Sequence, residues 1–218
     1  MLRIISFLCL TFSLPLFAQH KNDSLNKLDI IYDFSLGVKT ISVRDFNEAS
    51  SIKIPSGMAY MGQNFGFGQP FKYFISADVG LSMSIGYFFD SKKTFISIIN
   101  YGLSVHRSFT IRRNFFVSPF AGWQNESSFC SFSKFVNNTQ SHARINQNNL
   151  LLIGCDFSVF MKMLAKNKSG SSLNRIGVKV FYQLPLSASH FKEGANFFPS
   201  GINPYGLGGS AVSVFCRF

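Results

Sequence analysis

Beyond residue 18 the chain holds no run of about 18 consecutive apolar residues, the length a helix needs to cross a bilayer, so a helical membrane protein is excluded. Charge is scarce, at 14% of residues, and acidic charge scarcer still, with 10 Asp and Glu against 21 Lys and Arg. No C-x-x-C spacing occurs and the four His are scattered, so neither a metal site nor a cofactor is expected. Apolar side chains are nevertheless abundant, at 46% of residues with 27 Phe. A chain so rich in them, yet lacking long runs, must distribute them periodically.

The period is legible from Ile75 to Phe89. Ile75, Ala77, Val79, Leu81, Met83, Ile85, Tyr87 and Phe89 form one apolar row, and Ser76, Asp78, Gly80, Ser82, Ser84 and Gly86 form the other. Strict alternation is the signature of a strand with two different surroundings. Soluble strands average about 5 or 6 residues, whereas a tilted strand crossing a bilayer needs about 9 to 11. The polar row holds small residues where a solvated face would carry Lys and Glu, which suits a confined interior. Only a closed sheet hides such apolar outer faces in lipid without leaving backbone groups unpaired.

The first residues support export. Met1-Leu2-Arg3 is a short basic region, Ile4 to Phe17 an apolar segment, and Ala18 the small residue at a cleavage edge, so residues 1–18 read as a cleaved signal peptide. The basic excess of an exported chain points to anionic surface lipids as neighbours and away from nucleic acid. Three cysteines follow the signal, Cys130, Cys155 and Cys216, an odd number that leaves at least one thiol unpaired. Cys155 and Cys216 stand on apolar rows, where a thiol behaves as a small hydrophobe. Residues 19–31 form a polar leader in which Asp23-Ser24-Leu25 matches a short O-glycan acceptor motif; residues 32–218 form the barrel.

Eight strands are expected, near residues 32–43, 57–66, 75–89, 94–107, 115–124, 149–163, 175–184 and 207–218. The second is the weakest, because GMAYMGQNFG has mixed parity and three Gly. Pro119 predicts a local irregularity, since it removes a ladder donor. Arg44 to Ser56, Asn125 to Asn148 and Pro185 to Gly206 read as loops. If both chain ends are periplasmic, these are external connections, as expected for barrels whose long loops face outward. Tyr87, Phe89, Phe95, Trp123 and Tyr182 then gather at one interface, and Tyr32, Tyr73, Phe115 and Phe218 at the other.

The last strand carries Val212, Val214, Cys216 and the terminal Phe218 at every second position. This resembles the C-terminal assembly signal of bacterial outer-membrane β-barrel proteins, and with Gln19 at the start of the mature chain the whole resembles small Bacteroidota-type outer-membrane barrels. The resemblance implies an all-β fold, a single antiparallel up-and-down transmembrane β-barrel in the cell outer membrane. It also implies membrane lipids as partners, and recognition of the closing strand by the barrel-assembly machinery.

Inward parity falls on Asp33, Lys39, Asp78, His106, Asp156, Lys179 and Arg217. A narrow lumen cannot leave these unpaired without cost, so a polar plug of ion pairs is expected. Eight strands leave room for side chains only, so no open channel is expected. One enzymatic pattern competes. His106-Arg107-Ser108 places a His and a Ser two apart, as in barrel-type lipid A deacylases, but the nearest later acid, Glu126, falls on the opposite rim, so the triad logic fails. A soluble lipocalin-like carrier would need the reverse pattern, apolar inside and polar outside. The expectation is therefore a non-enzymatic barrel with a structural role or a ligand bound by its outer loops. Those loops carry Phe129, Phe132, Phe135, Phe191, Phe197 and Phe198 among Lys134, Arg144 and Lys192.

Overall fold

A computed structural model describes residues 28–42, 56–84, 95–112, 115–134, 139–160, 174–186, 191–193 and 208–218. Ten strands occur among them: β1 (Asp29–Thr40), β2 (Gly57–Gln69), β3 (Tyr73–Ser84), β4 (Phe95–Arg107), β5 (Phe109–Arg112), β6 (Phe115–Lys134), β7 (Thr139–Phe160), β8 (Arg175–Pro185), β9 (Phe191–Glu193) and β10 (Gly209–Arg217). Eight of them close a ring of antiparallel neighbours, β1-β2-β3-β4-β6-β7-β8-β10, and β10 pairs back onto β1 through Asp33–Arg217 to Lys39–Ala211. β5 continues the line of β4, and β9 adds two pairs to β7.

The register fixes the tilt. From Asp29 the directly paired residues are Gly68, Phe74, His106, Phe120, Gly154, Phe181 and Ala211, and the path returns to β1 at Lys39, ten residues above its start. With a rise of about 3.3 Å per residue and strands about 4.7 Å apart, that stagger tilts the strands by about 40°.

Side chains alternate as the sequence predicts. Along β3, Phe74, Ser76, Asp78, Gly80, Ser82 and Ser84 are buried, while the alternate residues from Tyr73 to Val79 are exposed. β4, β8 and β10 behave alike, with Tyr101, Leu103, Val105, Val178, Val180, Tyr182, Val212 and Val214 on the outside. At one rim Tyr32 packs against Phe65 and Phe218, with ring centroids 5.0 and 6.3 Å away, and Tyr73 is exposed nearby. Nearer the other rim stand Tyr101, Trp123 and Tyr182, and the Trp123 indole donates to Asn149 Oδ1 at 3.2 Å. Cys155 and Cys216 are free and half-buried on outward rows.

Several sequence expectations are corrected. β1 runs from Asp29 to Thr40, so it begins inside the stretch read as leader and stops short of Val43. β2 is a full strand paired along its length with β1 and β3. Its mixed parity arises because Tyr60 points inward and Gln63 outward. Gly62 and Gly80 make the seat for Tyr60: a Cβ on either would stand 2.3 or 3.0 Å from its side chain. Gly68 adopts φ of 150° where the strand turns toward Gln69, a conformation that disfavours any side chain.

The largest correction concerns Asn125 to Asn148. Instead of a loop, it is mostly a β-hairpin, because β6 continues to Lys134 and β7 begins at Thr139, paired through Phe129–Arg144 to Lys134–Thr139 with one register shift between Glu126 and Ser128. The alternation that marks a strand requires two different media on its two faces. Past the apolar band the sequence is polar at odd and even positions alike, so the alternation vanishes while the backbone ladder continues. The stretch read as a loop from Pro185 likewise contains β9.

At Pro119 the expected irregularity takes the form of an interruption. The ladder stops at His106–Phe120, resumes in the same register at Phe109–Val117, and divides β4 from β5. Between them the Ser108 amide donates to Lys72 O at 2.7 Å. Residues 85–89 of the alternating stretch, residues 44–55 expected as a loop, Phe135, Phe197 and Phe198, and residues 1–18 expected as a signal peptide lie outside the described residues.

Candidate functional site in the barrel interior

The inward rows of the eight strands converge on one polar cluster. Arg217, carried by β10, donates through Nε and Nη2 to the two carboxylate oxygens of Asp33 on β1, both at 2.6 Å, and Nη2 also reaches Asp156 Oδ2 at 2.9 Å. Lys179 Nζ stands 3.8 Å from Asp33 Oδ2. His106 Nδ1 is 3.6 Å from Asp156 Oδ2. The other ring nitrogen, Nε2, meets the hydroxyls of Ser104 at 2.9 Å and Ser76 at 3.1 Å. Ser76 in turn donates to Asp78 at 2.9 Å, and the Asn64 amide donates to the same carboxylate.

Aromatic rings wall this cluster. The His106 ring lies between Phe74 and Phe120, with centroids 4.3 and 4.8 Å away. The Arg217 guanidinium sits over Phe74 and Phe215, and the Lys179 ammonium over Phe120 and Phe215. Such cation–π contacts hold a desolvated charge by the ring quadrupole, worth about 2 kcal/mol when buried. Toward the chain ends Arg175 is fully buried in the lumen. It stacks on Phe71 and Phe116 at 4.6 and 4.4 Å and donates to Pro70 O at 2.6 Å.

Away from the chain ends the contents change. Phe120, Leu152, Phe181 and Ala211 form an apolar layer against Tyr60, then Gln183 donates to Gln124 at 2.6 Å, and Lys39 pairs with Glu126 at 3.2 Å. Ile96, Ile98, Met58 and Leu150 are fully buried near the same rim. Counted over the buried side chains among the described residues, Asp33, Asp78, Glu126 and Asp156 stand with Lys39, Arg175, Lys179 and Arg217: four acids and four bases besides His106.

The six charges expected inside, Asp33, Lys39, Asp78, Asp156, Lys179 and Arg217, are all buried there. Asp33, Asp156, Lys179 and Arg217 share one cluster with His106, and Asp78 joins it through Ser76. Lys39 stands apart, nearer the other rim. Its partner Glu126, read from sequence as a loop residue, is 1% exposed in the lumen. Arg175 was not anticipated, although it shares the inward parity of Gly177 and Lys179. Among the expected assembly residues, Val212 and Val214 are exposed, and Cys216 and Phe218 half-buried, on the outward row of the closing strand.

The arrangement includes a Ser–His–Asp order, Ser104 to His106 to Asp156. A hydrolytic triad needs a nucleophile open to substrate and a carboxylate committed to the His. Here Ser104 is 1% exposed and His106 fully buried, and Asp156 is shared with Arg217. The His and Ser two apart in sequence do not meet at all: Ser108 Oγ donates to Pro70 O and hydrogen-bonds the Ser118 hydroxyl. Among the described residues fifteen buried polar atoms, including Asp78 Oδ2, Glu126 Oε1 and Arg217 Nη1, have no hydrogen-bond partner in the protein, which is the setting in which buried water is held.

A closed ring of eight antiparallel strands, apolar outside and charged inside, defines a transmembrane β-barrel, since in water its outer rows would be an aggregating surface. No protein-family model matches the chain, and no curated protein is significantly similar in sequence. Among solved structures, the chain is similar to Neisserial surface protein A, with 11% identity over 88% of this chain and 98% of that one and a TM-score of 0.49. It is also similar to Ail, the attachment invasion locus protein of Yersinia pestis, with 9% identity over 88% and 97% and a TM-score of 0.46.

Proposed function

We propose that the protein resides in a bacterial outer membrane as a plugged barrel without covalent chemistry, and that its specific role is structural or lies in binding at the outer rim. The observation that carries this reading is the inversion of the usual globular pattern. Val38, Ile75, Leu103, Val105 and Val214 are each more than half exposed, while Arg175, Arg217 and Lys39 are at most 2% exposed. A bilayer is the medium that makes both halves favourable. The expected signal peptide and the terminal assembly pattern direct such a barrel to the outer membrane, with the chain ends and short turns periplasmic and the β6–β7 hairpin outside. The resemblance to Bacteroidota-type barrels belongs with this reading, as do anionic surface lipids as neighbours of the basic chain.

The mature chain is expected to stay monodisperse only in detergent or lipid; stable solubility without either would contradict the placement. In planar bilayers it is expected to show no large, lasting conductance steps, because ion pairs and rings fill the lumen. Regular steps would reverse the plugged reading. Removing Phe218 should lower the yield of folded barrel in the membrane several-fold while changing the stability of the folded fraction little. An unchanged yield in cells would argue against recognition of the closing strand. The lipid-modifying alternative predicts fatty acid released from outer-membrane lipids in a manner that depends on His106, and the burial of His106 favours no release.

A further inference from the structure

Arg107 breaks an otherwise consistent rule. Among the described side chains on outward strand rows, it alone is charged, and none is acidic. It does not lie beyond the apolar band. Val105, one step above it on the same row, is 57% exposed, and Phe109 and Ile111, further toward the chain-end rim, are 44% and 60% exposed. The next strand offers Tyr73 directly opposite and Ile75 beside it, both also more than half exposed. A guanidinium so placed is costly unless an anion reaches it.

No described side chain supplies that anion. The guanidinium lies over the Phe109 ring at 5.1 Å, and the ion pairs of the described residues involve other cations. Across the strand stands Pro119, in the gap where the ladder between β4 and β6 is interrupted. Lys72, exposed in the three-residue turn before β3, adds a second positive charge on the same side.

We propose that Arg107, flanked by Tyr73 and Phe109 and supported by Lys72, is a binding site for the headgroup phosphate of a phospholipid in the leaflet at the chain-end side of the barrel. Chemistry selects this occupant. A phosphate accepts a bidentate pair of hydrogen bonds from guanidinium. The acyl chains of the same molecule cover Val105, Ile75 and Ile111, and Tyr73 and Phe109 mark the depth at which headgroup and chains meet. A soluble anion could meet the charge but would leave the apolar surround bare.

This assignment rests on the membrane reading, and the test separates the two. The purified full-length mature barrel in maltoside micelles is titrated with phosphatidylglycerol, phosphatidylethanolamine or a phosphate-free galactosyl diacylglycerol, and bound lipid is read by native mass spectrometry. The wild type should retain either phospholipid at roughly ten-fold lower concentration than the galactolipid, a difference appropriate to one charge-assisted contact. Arg107→Leu should abolish that preference, and Arg107→Lys should keep part of it. In bilayers, the urea midpoint of the wild type should rise when the galactolipid is replaced by phospholipid. The midpoint of Arg107→Leu should not depend on the lipid. An Arg107→Leu barrel that folds and still prefers phospholipid would overturn the site, as would a wild type that binds all three lipids equally or masks Arg107 in a dimer. Failure of the membrane reading would look different: the protein would remain soluble with no lipid at all.

Discussion

Arg217→Met is expected to lower the unfolding free energy by about 3–5 kcal/mol, the range for removing one partner of a buried ion pair. Arg217 holds Asp33 through two hydrogen bonds of 2.6 Å and Asp156 through a third. Without it two carboxylates remain in a lumen where Lys179 lies 3.8 Å from one and His106 3.6 Å from the other, too far to replace hydrogen bonds. The balance of four acids and four bases is lost at the same time. Arg217→Lys restores the charge but not the fork that spans both oxygens of Asp33, so its loss should be intermediate. Urea unfolding from micelles, followed by the emission of the single tryptophan, Trp123, measures each value, because that indole stands on the outer face and enters water on unfolding. A loss under about 1 kcal/mol for Arg217→Met would mean that water carries the cluster and that the ion pairs are incidental.

Val214→Arg is expected to cost about 2–4 kcal/mol, the depth-dependent penalty for a cation near the bilayer midplane of a barrel. Val214 is 55% exposed and sits directly between Leu36 on β1 and Val178 on β8, themselves 54% and 41% exposed. An Arg there is several residues from either rim and cannot easily extend its head to a phosphate. Val214→Leu should be nearly neutral, since the site lies on the outer surface and no packed core surrounds it. The contrast with Arg107 is the informative part: both positions face lipid, but Arg107 lies close enough to the rim to meet a headgroup. If Val214→Arg and Val214→Leu unfold at the same urea concentration in bilayers, the outward row does not face lipid.

The closed eight-stranded ring, and the inside and outside of its strands other than β2, were legible in the amino-acid order, because a barrel wall between lipid and a narrow lumen imposes two media on alternate residues. Asp33, Lys39, Asp78, Asp156, Lys179 and Arg217 announce themselves as inward by parity alone, and Val212, Val214, Cys216 and Phe218 as outward. Parity is silent where odd and even positions are both polar, as they are around Ser131 and Ser141 in the β6–β7 hairpin. It is silent too where a side chain is seated against the rule, as Tyr60 is above Gly62 and Gly80.

Which inward charges meet was decided only by the tertiary structure. Asp33 and Arg217 are separated by nearly the whole chain, and a ten-residue stagger around the ring brings them to one height while sending Lys39 toward the other rim to Glu126. Parity assigns a side chain to the lumen but carries no height. Height comes from the register of every strand with its neighbour, a property of hydrogen bonds between distant segments. The same kind of register sets Tyr73 opposite Arg107 and divides β4 from β5 at Pro119, so the outward cation at Arg107 acquires its surroundings from strand pairing.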